Sequence, residues 1–176
     1  MEQQNIIYYK LKNFVSSDLS SHKYVHINFM DSKIDSKKDV QSLASALAKC
    51  SQALDMIIDL YENKIGQFGG TAIGTALGSC SNLQKIQLIL IDCNLVDQGA
   101  SGSCSGLENC KNLKQLKLSL WQSISSQFYF QACADYQHLF YLSDNKIGPN
   151  GASSLGQIFQ KCSNLQEIDI DMRQDG

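Results

Sequence analysis

The residues in this 176-residue chain whose types could support chemistry are seven cysteines, three histidines and one glycine-rich run. A thiolate is both a nucleophile and a soft metal ligand, and metal sites built from cysteine and histidine show close pairs such as Cys-x-x-Cys. No such pair occurs. Cys104 stands six residues before Cys110, and His138 five after Cys133; neither is a ligand spacing. His22, His26 and His138 have no serine or cysteine at a spacing diagnostic of a catalytic pair, so they read as surface or loop residues. The run GGTAIGTALGSC suggests a phosphate cradle but lacks the Gly-Lys-Ser/Thr ending that such a cradle requires. Gly70, Gly74 and Gly78, spaced by four, instead share one helical face and predict close packing between neighbouring helices. The chain also lacks the strand lysine, His-Arg-Asp loop and Asp-Phe-Gly segment of a protein kinase. No catalysis, no metal and no cofactor are expected.

What the cysteines mark is a repeat. Cys50, Cys80 and Cys110 are 30 residues apart, and CSQALDMIIDLYENKIGQFGG superimposes on CSNLQKIQLILIDCNLVDQGA without a gap. With each cysteine as position zero, apolar residues recur at +6, +8 and +10: Met56, Ile58 and Leu60; Ile86, Leu88 and Leu90; Leu116, Leu118 and Leu120. A period of two predicts a short strand. Asn63 and Cys93 follow at +13, Ile65 and Leu95 at +15, and Gly69 and Gly99 at +19. From that glycine to the next cysteine the spacing becomes helical, as in Val40, Leu43, Leu47 and Cys50, and again in Leu155, Ile158, Phe159 and Cys162. Each repeat is therefore a strand, a tight turn and a helix. Cys50, Cys80, Cys110, Cys133 and Cys162 fall just after the helix, where a compact buried side chain is wanted, and structural packing accounts for them.

Residues 24–39 read as a first, divergent copy with Ile27 and Phe29 inward, and CSNLQEIDID ends the chain on a strand with Ile168 and Ile170 inward. The copy starting at Cys110 is damaged: Cys133 follows after only 23 residues, and WQSISSQFYFQAC replaces the expected turn. An irregular loop is expected there, followed by a strand near Phe140 and Leu142. The organisation is thus residues 1–23 as an N-terminal cap or divergent segment, and 24–176 as about five repeats, one of them degenerate near 121–135. A unit of 28–30 residues cannot bury its own apolar face, so neighbours must stack and share a core. The fold class is α/β, a right-handed solenoid with parallel strands on the concave face and helices on the convex one.

NLQKIQLILIDCNL and LSDNKIGPNGASSL resemble the Leu-x-x-Leu-x-Leu…Asn/Cys-x-Leu and Asn-x-Ile-Gly-x-x-Gly-Ala segments of leucine-rich-repeat proteins of the ribonuclease-inhibitor type. The likeness covers residues 24–176. Two extra residues between strand and Asn/Cys position make the chain similar to expanded leucine-rich-repeat families of ciliates, some linked to kinase domains. The resemblance implies a horseshoe arc. Members of such families inhibit nucleases, activate GTPases, sense ligands or scaffold complexes, so fold alone leaves the function open.

The strand period names a candidate binding surface. Residues at odd positions face away from the core and stack into columns across repeats: Asp55, Ile57, Asp59 and Tyr61 beside Lys85, Gln87, Ile89 and Ile91, then Gln115, Lys117, Ser119 and Trp121, then Glu167, Asp169 and Asp171. The column Tyr61, Ile91, Trp121 offers the large apolar and aromatic groups that anchor interfaces. A protein partner held on the concave face is expected, with a scaffold or interaction module as the leading function. The alternatives are regulation of an enzyme, as a GTPase activator or nuclease inhibitor, or a role as the repeat portion of a larger kinase-linked signalling protein. The second alternative is motivated by the ending IDIDMRQDG, which lacks the polar capping repeat that solenoids need. Fifteen basic and 17 acidic residues, mixed along a chain of net charge −2, disfavour a nucleic acid or anionic membrane as partner. The start has no basic segment and long apolar run, no asparagine opens an Asn-x-Ser/Thr site, and the cysteine count is odd. An intracellular, cytoplasmic location follows as the expectation.

Overall fold

The period-two segments form strands and the period-3.6 segments form helices, in strict alternation. The computed structural model describes residues 6–120 and 149–171. Six strands, β1 (Ile7–Tyr8), β2 (Tyr24–Asn28), β3 (Asp55–Asp59), β4 (Lys85–Ile89), β5 (Gln115–Ser119) and β6 (Glu167–Asp171), pair in chain order into one all-parallel sheet. Between them run α1 (Leu11–Ser16), α2 (Lys37–Leu47), α3 (Gly66–Gly78), α4 (Asp97–Ser105) with a 3-10 turn at Gly106–Asn109, and α5 (Pro149–Lys161). Each helix packs on the next, so helices form a row in the same order as the strands. No described helix is long and apolar enough to cross a membrane.

The core lies between sheet and row. Val25 and Ile27, Met56 and Ile58, Ile86 and Leu88, and Leu116 and Leu118 are buried on one face of the sheet, while the alternate residues keep partial exposure. Each fully buried Leu or Ile side chain contributes about 1.5–3 kcal/mol relative to exposure. The N-terminal segment joins this core: Tyr8, Phe14 and Leu19 are buried, with the Phe14 ring edge-on to Tyr8 at 5.1 Å and to Phe29 at 6.3 Å. Ile27, Phe29 and Ile170 point inward as expected, and Ile168 packs half-buried on the core.

Glycine sets the helix spacing. A Cβ on Gly74 would stand 2.0 Å from the Gly102 carbonyl oxygen, one on Gly70 2.3 Å from that of Gly99, and one on Gly106 1.6 Å from that of Gly74. Backbone touches backbone between α3 and α4, as the Gly70, Gly74, Gly78 spacing predicts. Between strand and helix the chain turns sharply, and Asp31, Glu62 and Asp92, at equivalent places, all adopt left-handed φ of 45–55°. These turns are held without glycine, at about 1–2 kcal/mol each.

The sheet register revises the reading of the damaged copy. β5 pairs with β6 along all five positions, Gln115 opposite Glu167 through Ser119 opposite Asp171, so no strand stands between them. The strand expected near Phe140 and Leu142, and the loop expected near 121–135, lie outside the described residues. Equivalent side chain to backbone bonds reach back 31 residues from Asn82 to Ser51 and from Asn112 to Ser81, but 53 from Asn164 to Lys111. The difference, 53 against 31, is 22 residues. Counting without 121–142 joins Leu120 to Ser143 and puts Asn145, Ile147 and Gly151 at +13, +15 and +19 from Cys110, the places that Asn63, Ile65 and Gly69 hold after Cys50. The segment is thus an insertion into one strand-to-helix connection of an otherwise regular repeat. Glu108, only 8% exposed, is ion-paired with Lys161 and joins the two sides of that repeat.

Three outcomes are expected. Gly74→Ala should lower the unfolding free energy by about 3 kcal/mol, since overpacking outweighs the helix propensity gained, and melting should fall by about 10 °C. Gly156→Ala, where an added Cβ meets nothing within 4 Å, should instead raise stability by about 1 kcal/mol. Deleting residues 121–142 should leave far-ultraviolet circular dichroism and cooperative unfolding intact; an aggregated or molten product would contradict the insertion register.

Candidate functional site

The face of the sheet opposite the helices is built by the strand period and brings the expected residues into rows. One row runs His26, Ile57, Gln87, Lys117, Asp169, and the next Asn28, Asp59, Ile89, Ser119, Asp171. Beyond the strands the ladder continues, because the Asp31 amide donates to the Tyr61 carbonyl and the Glu62 amide to the Ile91 carbonyl. Met30, Tyr61 and Ile91 therefore form a third row. Ile57, Asp59, Tyr61, Gln87, Ile89 and Ile91 are half-exposed, and Lys117 and Asp169 exposed. Trp121 lies outside the described residues, as does the side chain of Asp171.

Charge is distributed unevenly over this face. Lys117 lies 3.6 Å from the Asp169 carboxylate, and the Gln115 amide donates to Glu167 at 2.8 Å, so the acidic last strand is partly matched by its neighbour. Partial burial raises the Asp55 carboxyl above its usual value, against the opposing pull of Lys85. The Tyr61 hydroxyl is raised to about 12, chiefly by its hydrogen bond with Glu62, and stays a phenol at neutral pH. Asp59 accepts the Tyr61 amide at 3.0 Å and fixes the backbone that presents that ring. Between the charged ends, Ile57, Ile89, Ile91 and Tyr61 make an apolar centre.

Sequence reasoning left out the β2 contribution. Tyr24 and Met30, 45% and 52% exposed, extend the apolar area toward the first strand. The signal was present in the alternation around Ile27 and Phe29, whose neighbours must face the other way. It also passed over Asn82, Asn112 and Asn164, whose side-chain amides donate to carbonyls of the preceding repeat at 3.2, 3.0 and 2.9 Å. Of the histidines, His22 bonds the Tyr8 hydroxyl at 3.0 Å, His26 lies half-exposed on the open face, and His138 falls outside the described residues.

The buried polar side chains serve the scaffold. Asn63, 1% exposed, accepts the Ile34 amide at 2.9 Å and donates to the carbonyls of Phe29 and Leu60 at 2.8 and 2.9 Å. Cys93 takes the equivalent place and reaches the Leu60 carbonyl through sulfur at 3.0 Å. Cys80, Cys110 and Cys162 likewise donate to the carbonyls of Leu47, Leu77 and Leu107, near the end of the preceding helical segment. Burial pushes the thiols of Cys50, Cys93, Cys104 and Cys110 up to about 12 and that of Cys80 to about 11, and raises Cys162. Among the described residues no group of three or more His, Cys, Asp or Glu side chains is placed to hold a metal ion.

No protein-family model matches the chain, and no curated protein matches its sequence.

The thiol environment fixes a pH dependence. A group whose folded pKa is raised stabilises the fold fully below its unfolded value and loses that contribution as pH rises toward the folded one. With unfolded thiols near 9 and folded ones at about 11–12, stability should hold to about pH 8.5 and fall steeply above 9. Each buried thiol contributes about 1.4 kcal/mol per pH unit in that window, so unfolding near pH 10 is expected in a pH titration of circular dichroism. At pH 7.5, Ellman's reagent should reach none of the six described thiols until denaturant is added.

Proposed function

We propose that this chain is a leucine-rich-repeat arc of the ribonuclease-inhibitor type that acts as a protein-binding module and not as an enzyme. The observation that carries the reading is the open face of the sheet, where Ile57, Ile89, Ile91 and Tyr61 are half-exposed apolar groups interleaved with Asp55, Asp59, Lys85 and Lys117. A folded chain gains nothing by leaving such side chains against water, whereas a partner that covers them gains apolar burial and an aromatic anchor. The 30-residue register, the one-to-one order of strands and helices, and the asparagine at the strand exit support the repeat assignment. The repeat fixes each strand in place before binding, which keeps the ordering cost of association low. The burial of the described thiols speaks for structural and against nucleophilic use of them.

The test is affinity isolation from the native source with the wild-type chain and with a Tyr61→Ala, Ile91→Ala double variant. Both residues lie on the open side, so thermal unfolding should shift by only a few degrees, while capture of the specific partner should fall at least tenfold. Equal capture by both chains would refute binding through this face. If the isolated partner is an enzyme, a changed turnover on binding assigns the module to the regulator class.

A further inference from the structure

Independently of the sheet face, we infer that the N-terminal end of the fold carries a binding site for a small amphipathic anion, a carboxylate or phosphate head on an apolar tail. The carrier is an open cleft of about 600 Å³ between α1, the turn after β2 and the first half of α2. α1, of six residues, flanks it on one side, and Asp39 and Ser42 of the eleven-residue α2 line it on the other. The volume falls within the range of small-ligand sites. Leu11 and Val15, half-buried against the core, and the buried Ile34 supply apolar lining.

Lys10, Lys12 and Lys33 also line the cleft, and none has a carboxylate partner among the described residues. The one lining carboxylate, Asp39, is engaged by the Ser36 hydroxyl at the start of α2. Three cationic residues thus border the cleft beside one engaged carboxylate. Local folding does not account for two of the lysines. Lys10 occupies the N-cap of α1 without a capping bond, where the helix dipole disfavours a cation. Lys33 holds a φ of 56°, a left-handed conformation that the equivalent Asn94 suits and lysine does not. Residues that break local rules in company mark functional places, and a head group shared by three lysines with a tail over Leu11 and Val15 makes use of all of them. Lysine, a point charge, accepts either head.

The experiment is a two-dimensional NMR titration of the full chain with octanoate, octyl phosphate and uncharged 1-octanol. Saturable one-to-one binding of an anion is expected, with a dissociation constant on the order of 1 mM and shifts centred on 10–16 and 32–42. Whichever of octanoate and octyl phosphate binds more tightly identifies the head group, and 1-octanol should bind about tenfold more weakly. Lys33→Asn should keep or raise the melting temperature while weakening octanoate roughly threefold to fivefold, and adding Lys12→Gln should weaken it by a similar further factor. Equal affinity for 1-octanol, undiminished binding by the double lysine variant, or shifts confined to the sheet face would overturn the site.

Discussion

Parallel strands lie about 4.8 Å apart, whereas helices pack at 8–10 Å, and a chain that alternates one of each in the same order must reconcile the two spacings. The glycines do much of this. α3 meets α4 and the 3-10 turn after it at Gly70, Gly74, Gly99, Gly102 and Gly106: a Cβ on Gly70, Gly74 or Gly106 would collide with a carbonyl oxygen, one on Gly99 would crowd the Gln67 Cα, and one on Gly102 would strike Thr71. Small residues such as Ala46 and Ala76 are also among the buried helix positions. Sheet register depends on this, since helices forced apart would pull their strands out of the ladder that pairs five residues at a time from β2 to β6.

A second requirement is that the chain leaves the sheet repeatedly at the same depth, exposing carbonyls that the strand ladder no longer serves. Asn63 satisfies them with both ends of its amide, reaching Phe29 and Leu60 carbonyls and the Ile34 amide. Cys93 satisfies fewer in the next repeat, which the lower polarity of a thiol allows at little desolvation penalty. Leaving such groups unpaired would cost about 1–3 kcal/mol each. Cys80, Cys110 and Cys162 do the same at the other end, as compact, weakly donating side chains that tie each repeat to the one before.

The two faces of the molecule divide the work. The helix side is closed by glycine and apolar packing, and the strand side stays open with a graded set of charges around an apolar centre. The first repeat adds a further feature: a short α1, a lysine at a helix start and another in a left-handed turn border a cleft. Protein binding on the open face and anion binding in the cleft would use different elements, and neither requires the other.

The sequence alone determined the repeat length, Ile27 of β2 and the inward residues of every strand from β3 to β6, the single glycine face of α3 and the outward rows of the open face. These are local properties: a period of two or four along the chain decides which way a side chain points, whatever lies nearby. Ile57, Asp59, Gln87, Ile89, Lys117 and Asp169 could be placed on one surface for that reason. What tertiary structure decided were the relations that no local period carries. The direct pairing of β5 with β6 shows residues 121–142 to be an insertion, whereas Cys133 had invited a separate, shortened copy. Only three-dimensional stacking revealed that Asn82, Asn112 and Asn164 serve the repeat before their own, that β1 extends the sheet, and that Lys10, Lys12 and Lys33 line one cleft. Partners separated by tens of residues leave no periodic trace in a sequence; they are set by how one repeat lies on the next.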